Sequence, residues 1–184
     1  MKNPYITAVK KQFDYYKLVG DKTFEQLTYD EMNWLPNETS NSISIIVKHM
    51  VGNMLSRWTN FLSEDGEKEW RQRDQEFIES YKNKEEIIAA WENGWVCLYS
   101  AISNLSDQDM NRIVYIRNEG HLVSEAIFRQ LGHYPYHIGQ IAYIGKIIKG
   151  KDWKSLSIPK GKSTSYNKEK FSKEKGKRHF TDDL

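Results

Sequence analysis

Residues 129–149, RQLGHYPYHIGQIAYIGKIIK, decide how this chain is read. Apolar residues recur there at three- and four-residue steps, which predicts a helix. His133 and His137 stand four apart, so one turn separates two imidazoles on the same face, where they could hold one metal ion. At about 100° per residue that face also carries Leu122, Ala126, Gln130, Gln140 and Ile144. The stripe is partly polar yet lacks the charges of a solvent face. Between Gly120 and Gly145 the only acidic or basic side chains are Glu125 and Arg129. A pair at this spacing also suits two core or surface histidines, so it does not by itself separate a site from scaffold. Pro135 lies between the two; it lacks an N–H and crowds the carbonyl of Leu131, which predicts a kink costing about 3 kcal/mol locally. Gly132 and Gly139 loosen the segment further. Strain beside candidate ligands fits a functional site and equally a tight helix crossing.

The same pattern extends this helix over Val123–Lys149, with Gly150 as its C-terminal stop. Just upstream, RIVYIR (112–117) is β-branched and aromatic and reads as extended, pairing into a small hairpin with His121-Leu122-Val123. Three more long helices are predicted. The first starts at Asn3-Pro4 and carries Ile6, Val9, Phe13 and Tyr16, with Gly20 as a break or bend; Thr28 and Glu31 form a capping box after it. Pro36 marks a connection. The second runs from Ser42 to Leu62 behind a broad apolar arc of Ile46, Val47, Met50, Met54 and Trp58. The third runs from Lys84 to Asn104, with Trp91 and Trp95 read as core and Cys97 as a buried small side chain. Ser106-Asp107 caps a short turn. The expected fold is an all-α four-helix bundle over residues 1–155, with a short extended segment before the last helix. Residues 156–184 are expected to be a polar, basic tail, mobile past Asn167.

His49 lies roughly 150° from the centre of the second helix's apolar arc. That position suits a surface histidine, but its neighbours there, Ser42, Ile45, Gly52, Asn53, Ser56 and Asn60, are uncharged. Such a stripe fits a cavity wall or a subunit contact, so His49 is the favoured third ligand for the His133/His137 pair. His121, at a loop–helix junction, is the weaker candidate, and His179 falls in the tail. The loop EDGEKEWRQR (64–73) carries Arg71 and Arg73, read either as solvated charges or as grips for an anionic ligand. No glutamate stands beside the histidines in an HExxH arrangement, so no general base is visible.

Composition narrows the function classes. From residue 151 onward ten Lys and Arg face five Asp and Glu, leaving 17 against 20 for the rest. A mildly acidic folded portion argues against nucleic-acid binding. No run approaches the roughly 18 apolar residues of a membrane span, and MKNPYITAVKK lacks a signal-peptide core. The single cysteine, Cys97, excludes an internal disulfide and fits a reducing compartment, so the chain is expected in the cytoplasm.

A helix-borne histidine in KHMVGNM (His49) followed far downstream by HYPYHIGQI (His133 to Ile141) resembles the DinB/YfiT-like superfamily. The segments NSISIIVKHMVGNMLSRW, FLSEDGEKEWRQRDQEF and SIPKGKS resemble a Bacillus-type branch of it, and the likeness extends to about Lys162. The resemblance implies a homodimeric four-helix bundle holding a divalent metal through His49, His133 and His137. It implies zinc or nickel first, with manganese or iron as further options. Similar proteins include S-transferases using bacillithiol, mycothiol or glutathione, and others described as metal-dependent hydrolases. The expected activity is metal-assisted attack of a low-molecular-weight thiol on a small electrophile. The alternatives are hydrolysis by metal-activated water and a non-catalytic binding or stress protein. Asn53 and Gln140 are candidates for orienting ligands, and Arg57, Arg71 and Arg73 for anchoring the thiol's carboxylates.

Overall fold

A computed structural model describes residues 4–182. It is mostly helical, with six helices and one two-stranded sheet among the described residues. Four helices are long: α1 (Pro4–Phe24), α3 (Ile43–Trp58), α4 (Lys84–Ser103) and α5 (Val123–Lys149). Two are short, α2 (Tyr29–Met32) and α6 (Ser163–Phe171), and the strands are β1 (Ile113–Ile116) and β2 (Glu119–Leu122). Among the described residues no helix is long and apolar enough to cross a membrane.

Local chemistry sets the helix ends. Thr28 and Glu31 close the expected capping box on α2: the Glu31 N–H donates to Thr28 Oγ1 at 3.2 Å and the Thr28 N–H to Glu31 Oε2 at 2.8 Å. Ser42 caps α3 and Asn83 caps α4, each accepting from the N–H three residues on. The capping side chain expected of Asn3 lies outside the described residues. Helix α3 stops at Trp58, four residues short of the expected end, because Thr59 turns extended and Asn60 takes a left-handed φ of 49°. α1 runs straight through Gly20 where a break was expected. The glycine is there for proximity: a Cβ would sit 2.6 Å from the Trp91 ring. α5 runs from Val123 to Lys149 with Pro135 inside it, and Gly150 closes it at φ 54°.

The four long helices share one core. α1 packs on α5 and α4, and α3 packs on α4 and α5. Aromatic side chains fill the middle: Trp91 and Trp95 meet edge-on at 5.3 Å, and Trp95 lies 6.1 Å from both Phe13 and Tyr134. Cys97 is only half-buried, with Sγ 3.6 Å from Thr59 Oγ1.

The expected hairpin forms, with Ile113 opposite Leu122 and Ile116 opposite Glu119. Its two-residue turn places Arg117 and Asn118 at φ 56° and 61°, the primed-turn geometry that usually asks for glycine or asparagine. The Asp65 carboxylate accepts both turn N–H groups at 2.8 Å and so ties the hairpin tip to the loop between α3 and α4. Past Asn167 the chain is not the free tail the sequence suggested. α6 spans Ser163–Phe171, Phe180 lies edge-on to Tyr15 at 5.1 Å, and Asp182 pairs with Lys11.

Candidate metal centre

α3 and α5 bring the three histidines together. His49, His133 and His137 each offer a ligand atom, all within 4.8 Å of one another, and this is a grouping that could hold a metal ion. Ring centroids lie 5.6 Å (His49–His133), 4.9 Å (His49–His137) and 4.7 Å (His133–His137) apart. His49 is buried rather than a surface residue. His121 sits in β2, outside this cluster.

Each ring is held at Nδ1. His49 Nδ1 lies 2.9 Å from Glu76 Oε2, His133 Nδ1 3.2 Å from Gln130 Oε1, and His137 Nδ1 2.9 Å from Gln140 Oε1. All three partners are acceptors, so each Nδ1 carries the proton and each Nε2 keeps a bare lone pair. The Nε2 atoms of His133 and His137 then face each other at 3.0 Å. Two lone pairs at that separation repel unless a cation lies between them. Zinc–nitrogen bonds of about 2.0–2.1 Å in a tetrahedron put nitrogens about 3.3 Å apart, so the donor set fits a divalent ion. Oriented imidazoles with an acceptor behind each ring are what such ions ask of a protein.

The sequence did not reveal Glu76, the carboxylate beside the triad. It lies in the irregular stretch between α3 and α4, where no periodicity marks a residue. Burial alone would raise its pKa, but hydrogen bonds from His49 and Arg71 and the Arg71 charge hold it below the ordinary value. Arg71 grips it with Nε to Oε1 at 2.7 Å and Nη2 to Oε2 at 3.0 Å. Thus Glu76 orients His49 and is too well paired to act as a base. Gly52, one turn after His49 on α3, makes room for it: a Cβ there would lie 2.2 Å from Glu76 Oε1. The Phe77 ring stacks on His49 at 5.6 Å, and the Arg73 guanidinium lies over that Phe77 ring, 5.4 Å from its centroid.

Gln140 thus has a defined place behind His137. Asn53 lies one step removed: its Oδ1 accepts from the Tyr134 hydroxyl at 3.0 Å, and that hydroxyl accepts from Trp58 Nε1 at 3.0 Å. A recess of about 270 Å³ opens beside the triad, with His49, His133, Asn53 and Gln130 in its wall. Five arginines line the rest: Arg57 from α3, Arg71 and Arg73 from the stretch before α4, Arg117 from the hairpin and Arg129 from α5.

Burial, then the neighbouring His137 and His49, then Arg57 and Arg129, push His133 from 6.5 down to about 3. Burial lowers His137 as well, against its hydrogen bond to Gln140. Both rings are neutral at ordinary pH, as metal ligation requires. Metal-free protein is therefore expected to lose stability as pH falls from 6.5, the unfolded value, toward 3, because the unfolded chain takes up a proton at residue 133 that the folded chain refuses. Thermal melts between about pH 7 and pH 5, above the carboxylate range, check this. Tm of the parent should fall more steeply than that of His133→Gln, and parallel slopes would contradict it.

No match is found among curated proteins or among solved structures. A family model described as protein of unknown function, DUF1572, matches residues 1–162. That span contains the triad, the three acceptors behind it and all five arginines. The chain therefore belongs to the DUF1572 family, which is DinB-like.

Proposed function

We propose that this protein binds a divalent metal, zinc or nickel before manganese or iron, through His49, His133 and His137, and transfers a low-molecular-weight thiol of the bacillithiol type to a small electrophile. The observation that carries the reading is the convergence of the three rings, each held at Nδ1 and offering ligand atoms that lie within 4.8 Å of one another. A divalent ion held by three neutral imidazoles keeps its full charge and an open position, and so lowers the pKa of a thiol bound there.

The chain's own residues do the rest. Glu76, Gln130 and Gln140 fix tautomer and ring direction, so that no reorganisation is needed when substrate arrives. The recess beside the rings receives the thiol's anionic end and holds its sulfur next to the triad. Sulfur then forms a bond to the electrophilic carbon as the leaving group departs with its bonding pair, and the thiol proton goes to solvent. The architecture we infer is a four-helix bundle of the DinB type over residues 1–155. A homodimer fits the exposed aromatic face of α5, where Phe128, Tyr136 and Tyr143 are each more than half exposed.

The test is turnover of 1-chloro-2,4-dinitrobenzene by zinc-loaded full-length protein with and without bacillithiol. Thioether formation should saturate with the thiol and vanish in its absence. Equal turnover without thiol would replace transfer with hydrolysis by activated water. No turnover in either arm would leave a binding protein.

A further inference from the structure

The arginine-lined recess carries more positive charge than the fold uses. Of its five guanidinium groups, Arg71 is committed to Glu76 and Glu67. The Glu67 carboxylate is also shared with Arg117, at 3.2 Å, and distantly with Arg57, at 3.8 Å. Asp65 is occupied by three backbone N–H groups, those of Glu67, Arg117 and Asn118. Arg129 has no hydrogen-bond or ion-pair partner for its side chain among the described residues, and Arg73 has only the Phe77 ring. Arg57 is 6% exposed and donates from Nη1 to the Gly66 carbonyl at 2.6 Å, yet its Nε is buried without any partner. A buried, unanswered donor on a cation is costly to keep. One carboxylate, Glu67, is spread over three of these cations and two more have none, so the recess is short of negative charge and suited to an anion.

We propose that this recess binds the anionic end of the substrate, a phosphate or a paired carboxylate, through Arg57, Arg117 and Arg129. The placement of that end against the triad rests on the function proposed above; anion binding itself does not require the metal. Planar guanidinium forks match the oxygens of these two groups and little else. At about 30 Å³ per water, a recess of about 270 Å³ holds roughly nine water-sized groups. That is room for a phosphate or a dicarboxylate on a short carbon stub. Arg117 reaches the recess from a left-handed backbone position, φ 56°, that a non-glycine residue holds only at a cost. The Asp65 clamp maintains that conformation, and a ligand's oxygens replace Glu67 as the partner of the Arg117 guanidinium.

The experiment uses full-length protein stripped of metal. Inorganic phosphate and malate are titrated calorimetrically at constant ionic strength, with chloride as the reference anion. Saturable binding at one site per chain is expected for one of the two, and the tighter one assigns the terminal group. Arg117→Ala and Arg129→Ala remove side chains at the protein surface and should each weaken binding by about tenfold or more, as loss of a charge-assisted hydrogen bond does. Arg112→Ala, at the base of the same hairpin and paired with Asp109, should leave it unchanged. Absence of saturable binding for both anions, or equal affinity in all three variants, overturns the inference. Zinc binding is measured in the same samples. Intact zinc affinity without anion binding removes this inference alone, and intact anion binding without zinc removes the metal reading alone.

Discussion

Full-length protein isolated without added metal is expected to carry close to one divalent ion per chain, and His133→Ala almost none. Positioning partners of a ligating histidine are worth about 10–100-fold in metal affinity; deleting the ligand itself should therefore raise the zinc dissociation constant more than about 100-fold. The two remaining rings, His49 and His137, come from different helices and keep their own acceptors, so they hold a two-nitrogen site too poor to retain the ion. His133 is half-buried and has no bond to a backbone group, so its truncation should leave the helices in place, which circular dichroism of the variant checks. Gln140→Ala provides the graded comparison, at about tenfold. Competition against a chromophoric chelator reads all three proteins. If the parent and His133→Ala hold zinc equally, the three rings do not share an ion.

The second large effect falls on stability. Arg71→Ala is expected to cost about 3 kcal/mol, the low end for breaking a buried ion pair by removing one partner. The side chains of Arg71 and Glu76 are 3% and 7% exposed. Without the guanidinium, the Glu76 carboxylate keeps only the His49 donor and stays shut away from water. That loss is a large share of a typical folding free energy of about 5–15 kcal/mol. The cost is chiefly stranded charge, so Arg71→Met with Glu76→Gln should recover most of it in urea unfolding. The double variant should still bind zinc more weakly than the parent, because a neutral amide is a poorer support for His49. A double variant as unstable as Arg71→Ala would place the cost in lost packing instead.

What could be read from the chain alone followed periodicity. The four long helices, the capping box at Thr28 and Glu31 and the RIVYIR hairpin all obey rules that act within a few residues. So did the suspicion about His49: an uncharged stripe opposite an apolar arc has to face something, and it faces α5 and the Glu76 turn. The misses share a different cause. Gly20 reads as a helix breaker because its partner, the Trp91 ring, lies some seventy residues away in sequence. Arg71 reads as an anion anchor, but the Glu76 carboxylate occupies its fork. Glu76, Arg117 and Arg129 acquire their roles only when loop, hairpin and helix meet. No spacing along the chain encodes such a meeting. The tail was judged by composition, which does not register a single aromatic contact such as Phe180 on Tyr15.

The clasp between Asp65 and the Arg117–Asn118 turn divides the labour of the molecule. The three histidines stand on two long, deeply packed helices, whereas Arg117 stands on a hairpin tip tied to a surface loop by one carboxylate. Change at the tip can therefore reshape the recess while the arrangement of the three rings stays fixed. Loss of the Asp65 carboxylate would release both appendages together without disturbing the helices that carry the rings.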